Sequence, residues 1–405
     1  MRRASITYVI VFVAIAAWAP YLSAYYQSLG ISLGQIGLLL AMTSAVSLVA
    51  APIWGTVHDR FPKSLVLLPL AAALAGLGAT GLATVGASPL LILSAAVFAI
   101  GGSGLTPMMD VRVLEIAGSD RTRYARVRVW GSISFIVFAP LIGLLADSQG
   151  LGAIFLAMIP ALLIGGLAAA TLRGRSLSVK GPSLMRAPGT VLRHRPIALF
   201  LIGALVGWTA LSAQSSFFTI YLKSLGAPND LVGWAWSVAA ITEVPAMFFF
   251  PFLARRFGVE RLIVVGALVL VVRQVANVAF TDPSLLIAFA LFQGIGYSLM
   301  LIGGVTFVSL QAPKGTAATA QGIFTGVASS LSSILGSGLG GQLAGILTIR
   351  GLFAVSACTS AAAVVLIALA VLPAAGRARD EVEGLELVAH GPEPGVDGVG
   401  NDLGA

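Results

Sequence analysis

Charged side chains are scarce in this chain, and the few that fall inside apolar runs mark where chemistry can occur. Residues 107–131, PMMDVRVLEIAGSDRTRYARVRVWG, carry Asp110, Arg112, Glu115, Arg126 and Arg128 in or beside such runs, and Glu243 and Arg273 sit in similar surroundings further on. A charge near a bilayer centre costs about 2.5–3.5 kcal/mol on insertion scales, so it needs a reason: a proton to carry, a polar solute to bind, or a partner. Asp110 and Arg128 are separated by a segment long enough for a short turn between two antiparallel helices, so they can face each other. An arginine fork can hold a carboxylate or hydroxyls on a solute while the acid takes back the pair afterwards. The plainer alternative is a permanent ion pair. Arg112 and Glu115, spaced i and i+3, read as a local pair at a helix end.

The elements that position these groups follow from composition. The 405 residues are 58% hydrophobic and only 10% charged, with mean hydropathy +0.97, which excludes a soluble fold and makes this an integral membrane protein. A net charge of +8 does not imply nucleic acid, because the basic residues lie in short loops where topology explains them. The lone cysteine, Cys358, excludes an intrachain disulfide. Metal-ligand spacings, a nucleophile elbow and a phosphate loop are all lacking, so the chain reads as no enzyme, with no metal and no cofactor beyond the proton as coupling ion.

Apolar spans of membrane-crossing length recur at 6–28, 33–57, 64–85, 89–117, 124–146, 151–172, 197–223, 230–254, 261–281, 284–311, 317–347 and 351–373. The basic start at Arg2 and Arg3 imitates a signal peptide, but the spans that follow favour a first transmembrane helix. Lys and Arg concentrate on one side: Arg60 and Lys63, Arg121 and Arg123, then Arg173, Arg175, Lys180, Arg186, Arg193 and Arg195, then Arg255, Arg256, Arg261 and Lys314. The opposite loops hold Lys223 and Arg350. Positive-inside topology then puts both termini and the 174–196 linker in the cytoplasm, in a bacterial cytoplasmic (inner) membrane. The expected organisation is a six-helix bundle over 1–173, that linker, a second six-helix bundle over 197–373, and a disordered acidic tail over 374–405. An internal repeat supports two related halves: Tyr25, the Ser28-Leu29-Gly30 turn, Gly37 and Arg60-Phe61 recur 196 residues later as Tyr221, Ser224-Leu225-Gly226, Gly233 and Arg256-Phe257.

A family resemblance enters at GTVHDRFPK, residues 55–63, where Gly55, Asp59, Arg60 and Lys63 look like the loop signature of the major facilitator superfamily, with Pro62-Lys63 where its pattern has Gly-Arg. In physical terms Gly55 allows close helix approach, Asp59 can accept from a helix N-terminus, and Arg60 can pair with an acid, together a gating loop. PMMD at 107–110 and YARVRVWG at 124–131 resemble the lactose permease and aromatic-acid permease branch. That resemblance implies twelve transmembrane helices in two pseudo-symmetric bundles, with Asp110 and Arg128 binding solute. It continues through Glu243, in the stretch 232–258, and LVVRQ at 270–274, implying that Glu243 carries a proton and Arg273 opposes it, with Asp110 as a second candidate. The branch's helix-ten histidine and carboxylate are missing: FQGIGYSL at 292–299 offers Gln293, Gly296 and Tyr297, and His58, His194 and His390 all read as loop or tail.

Trp18 beside Pro20, Gln214, Asn277, Gln293 and Tyr297 are further candidates to line a midplane cavity, whereas Trp234 and Trp236 read as belt residues at the outer interface. GSGLGG at 336–341 lacks a preceding strand and reads as close helix packing, not a dinucleotide loop. APLIG at 139–143 resembles the Gly-Pro signature of drug antiporters and is the hint of export. The expectation is a monomeric secondary transporter importing a small polar or acidic organic solute, a sugar, nucleoside or aromatic acid, by proton symport. The alternatives are a proton-coupled exporter of drugs or metabolites and a membrane receptor that binds without transporting.

Overall fold

Backbone N–H and C=O groups cannot be left unpaired in hydrocarbon, so long apolar runs in this chain have little choice but to form helices. A computed structural model describes residues 1–61, 64–118, 121–172, 188–313 and 315–389, and among them the protein is helical throughout, with no strand. The first half contains α1 (Arg2–Ser28), α2 (Leu33–Arg60), α3 (Leu67–Thr84), α4 (Leu90–Ala117), α5 (Arg121–Gln149) and α6 (Leu151–Ala170). After a short helix at Pro188–Arg193 come α7 (Arg195–Ser224), α8 (Asn229–Phe257), α9 (Val259–Ala279) and α10 (Pro283–Gln311). The last apolar stretch, Ala317–Pro373, turns at Thr348, whose φ is 75°, and so divides into α11 (317–347) and α12 (349–373). Among the described residues eleven helical stretches are long and apolar enough to cross a membrane, and this division of the last gives the expected twelve helices. Helical backbone runs on to Ala389, into the segment read as a tail, whose remainder lies outside the described residues, as do Lys63, Lys314 and residues 174–187 of the linker.

Local signals explain several boundaries. Ser32 and Gln35 form a reciprocal capping box that starts α2. Pro20 cannot donate, so α1 breaks into Arg2–Trp18 and Leu22–Ser28, and the Pro20 carbonyl freed by the break accepts from Thr219 Oγ1 of α7 at 2.6 Å.

That bond is one of several that close the two halves together at the end where α1 passes into α2. Tyr21 Oη donates to Ala139 O at 2.6 Å and Asn229 O at 3.2 Å, and Ser237 Oγ donates to Ile136 O at 2.8 Å. The Asp147 carboxylate, ending α5, accepts from the Asn229 backbone N–H and side-chain amide, each at 2.8 Å, and from the Asp230 N–H at 3.0 Å. An anionic side chain on the exposed N–H groups of a helix start is favourable on both hydrogen-bond and dipole grounds. APLIG lies against the start of α8 in this seam, with Ala139 and Gly143 both meeting Asn229 or its neighbours.

The repeat-related glycines do equivalent jobs here. Gly37 lets α2 touch Ser337 and Gly341 of α11, and Gly233 lets α8 touch Tyr21 and the Ala139-Pro140 turn of α5. A Cβ on Gly341 would lie 2.6 Å from Leu33 O and 2.7 Å from Gly37 Cα, both backbone atoms that cannot swing aside. Gly341→Val is therefore expected to force this end open. In a Cys358→Ser, Ala19→Cys background, a membrane-impermeant maleimide added from this end should label position 19 faster than it does with Gly341 in place. Unchanged labelling would refute the seam as a gate.

Candidate substrate site

Helical period brings one face of each inner helix to a common space. On α5, Arg128, Ser132 and Phe135 recur at i, i+4 and i+7; on α8, Trp236, Ala239, Ala240 and Glu243 do the same; Phe12, Ile15 and Ala19 supply the α1 face. Between them lies a cavity with two lobes of about 520 and 550 Å³, which share Ile15, Ala19, Ser215, Ser216, Trp236, Ser329 and Ser333. The first lobe is uncharged, with Trp18, Phe98, Thr43, Ser44, Ser47, Ser103 and Thr106 on its walls. The second carries both ionisable groups, Arg128 and Glu243, beside Trp208, Gln293 and Tyr297. Serines on α11 reach both lobes through a π-helical turn at Gly326–Leu331, an irregularity frequent at functional sites.

Arg128 and Glu243 come from opposite halves and both line the second lobe. The Arg128 guanidinium lies over the Phe12 ring at 4.6 Å and the Tyr8 ring at 5.8 Å, which orients its fork while leaving its charge toward the cavity. Glu243 is held by its backbone: Ser298 Oγ of α10 donates to its carbonyl at 3.1 Å, and the preceding Thr242 hydroxyl donates to Leu291 O at 2.9 Å. Tyr297 stands edge-on to Trp208, ring centroids 5.1 Å apart at 83°, and Trp18 meets Phe98 edge-on at 5.9 Å. Rings fixed in this way offer flat apolar faces to a solute, while the serines and Gln293 offer hydrogen bonds.

The structure redistributes several residues singled out in the sequence. Arg128, Glu243, Trp18, Gln293 and Tyr297 line the cavity. Asp110 and Arg128 form no ion pair; the fully buried Tyr8 stands between them, donating its hydroxyl to Asp110 while its ring lies under Arg128. Gln214 is fully buried one layer back, with Nε2 3.3 Å from Gln293 Oε1. Glu243 and Arg273 are not paired either. Arg273 is fully buried in α9, bonded to Asn277 and packed over Phe218, because its position on the helix faces α7 and not the cavity. Trp236 lines both lobes in place of a belt position, and its indole Nε1 is 3.4 Å from Thr219 Oγ1. Trp234, 47% exposed, faces outward as expected.

At the far end of α2, Gly55 touches no neighbour that a Cβ would meet within 4 Å, so close helix approach does not require it in this conformation. Asp59 and Arg60 are exposed there, whereas Asp147 and Asp282 are carboxylates that do sit on helix N-termini. His58 is no loop residue: it is buried in the last turn of α2 beside Arg112. Arg112 pairs with Glu115 at 3.5 Å and donates to Ser64 O at 2.7 Å, tying α4 to the α2–α3 connection. The GSGLGG stretch packs helix on helix, Gly336 against Thr209 and Ser212 of α7 and Gly341 against α2.

Tyr8, Phe12, Trp208 and the serines are cavity or site residues that the sequence did not single out. The signal for Tyr8 and Phe12 was available in the i, i+4 spacing on the first span, on the face that continues to Ile15 and Ala19.

Known proteins agree with this architecture. The profile of the MFS_1 like family matches residues 1–355. Maltose permease of Geobacillus stearothermophilus is 28% identical over 367 residues, covering 90% of this chain and 93% of its own. A putative nucleoside transporter of Escherichia coli, YegT, is 25% identical over 349 residues, covering 81% and 80%. In fold, a crystal structure of a variant of the nucleoside transporter NupG superposes with a TM-score of 0.80 at 17% identity, over 91% of this chain and 98% of that one. With the model of this family spanning most of its length and permeases among its relatives, the chain belongs to the MFS_1 like family and is a multi-pass, non-enzymatic membrane transporter.

Proposed function

We propose that this protein is a proton symporter of a bacterial cytoplasmic membrane that imports a small, hydroxyl-rich ring solute, a sugar or nucleoside, by alternating access. The observation that carries this reading is the placement of Arg128 and Glu243, one from each half, in one lobe of the cavity between aromatic faces and serine hydroxyls. One cation and one carboxyl leave the site balanced, which favours an uncharged solute over an acid. Aromatic rings stack on the C–H face of a sugar or on a nucleobase, and serines and Gln293 match hydroxyls. Because the two groups belong to different halves, a proton on Glu243 or a solute on Arg128 alters what holds the halves together, and that is a coupling device.

With cytoplasmic termini, the seam at Asp147 and Tyr21 lies on the outer side, so the conformation described is the one that faces inward. Maltose permease and nucleoside transporters among the relatives support the same solute classes.

A thermal-shift screen of sugars, nucleosides and aromatic acids on the purified protein should single out the first two classes. In proteoliposomes, the hit should accumulate when the outside is acid. Protons released against inward solute movement would point to export instead, and saturable binding without flux would point to a receptor.

A further inference from the structure

We propose that Arg273 holds a small inorganic anion, chloride or a similar monovalent ion, inside the second half, one layer behind the solute cavity. Its side chain is wholly buried, yet among the described residues Nε and Nη2 have no hydrogen-bond partner and no carboxylate pairs with it. Nη1 alone is engaged, donating to Asn277 Oδ1. Nε and Nη2 form the side-on fork with which a guanidinium takes an anion, so the unpartnered edge is the one suited to a counterion. Asn277 Nδ2 is a further buried donor without a partner on the same helix face. The Phe218 ring covers the guanidinium at 4.4 Å, and a single ring does not replace a counter-charge for a cation removed from water.

The surroundings restrict what that anion can be. Arg273, Gln274, Asn277 and Gln214 are all fully buried and none of them lines the solute cavity. A ring-sized solute in the cavity does not contact them, so a ligand in this layer has to be as small as a single ion. Gln214 joins this layer to the cavity wall, since it lies one turn from Phe218 on α7 and bonds Gln293, so occupation of the anion site and of the solute site are mechanically adjacent.

The test is a titration of the purified full-length protein with sodium chloride against sodium gluconate at constant ionic strength, read as Tm. Wild type should show a saturable rise with chloride, reproduced by bromide, and Glu243→Gln should retain it. Arg273→Met should lose the rise. Asn277→Asp should supply an internal carboxylate in place of the ion, raising Tm in gluconate and removing the chloride response, which decides the matter if Arg273→Met does not fold. A wild-type Tm equal in chloride and gluconate, or an Asn277→Asp protein responding to chloride like wild type, would overturn the site.

Discussion

Replacing Arg128 by methionine is expected to weaken solute binding roughly ten- to hundredfold while leaving the protein folded. Arg128 is the one cation on the described walls of the cavity, and its ring contacts with Phe12 and Tyr8 place the fork before solute arrives. Losing hydrogen bonds to a charged group costs about 1.5–3 kcal/mol, roughly ten- to hundredfold in Kd. Methionine keeps the apolar stem against Phe12, so the packing of α1 on α5 should survive. Arg128→Lys should fall between the two, retaining charge but not the fork. Tyr8→Phe is the informative companion: it removes the hydroxyl that engages Asp110, freeing that carboxylate to compete for Arg128. Calorimetric titration with the screened solute reads all three, and a Kd for Arg128→Met equal to wild type would remove Arg128 from the site.

The spans were legible because a bilayer imposes one length and one backbone solution, and each apolar run carries that signal alone. The two halves were legible because turns such as Ser28-Leu29-Gly30 demand the same backbone twice: Gly30 and Gly226 both take positive φ, 80° and 82°. Pairings across helices were a different matter. Asp110 and Arg128 sit where helix spacing allows contact, but nothing in one chain's order reveals that Tyr8 of α1 slides between them. Arg273 and Glu243 are both deep in their spans, and their rotation about two different helix axes, which sends one to α7 and the other to the cavity, is set by packing. Trp236 was misassigned for the same reason, since a tryptophan near a span's end reads alike whether it meets lipid or a cavity.

Glu243→Gln is expected to uncouple transport from the proton gradient without stopping solute exchange. Glutamine keeps the size and the hydrogen-bonding edge of a protonated carboxyl, and the backbone bonds from Ser298 and the neighbouring Thr242 do not depend on the side chain. The cavity should therefore stay formed and solute should still bind on Arg128. What is lost is the choice between a charged and a neutral group facing Arg128 across the halves. Under the proposed coupling, the negative form of Glu243 would attract Arg128 and resist rearrangement with the site empty; taking a proton would remove that hold and let solute claim the arginine. A permanently neutral side chain removes the penalty for moving without a proton, so an acid-outside gradient should drive no accumulation and the internal-to-external solute ratio should fall to about one. Exchange of labelled for unlabelled solute should proceed at a rate near wild type. Two measurements on the same proteoliposomes settle it: accumulation under an imposed gradient, and counterflow without one. Retained accumulation would remove Glu243 as the proton carrier, and loss of counterflow alongside accumulation would show that it binds solute instead of coupling it.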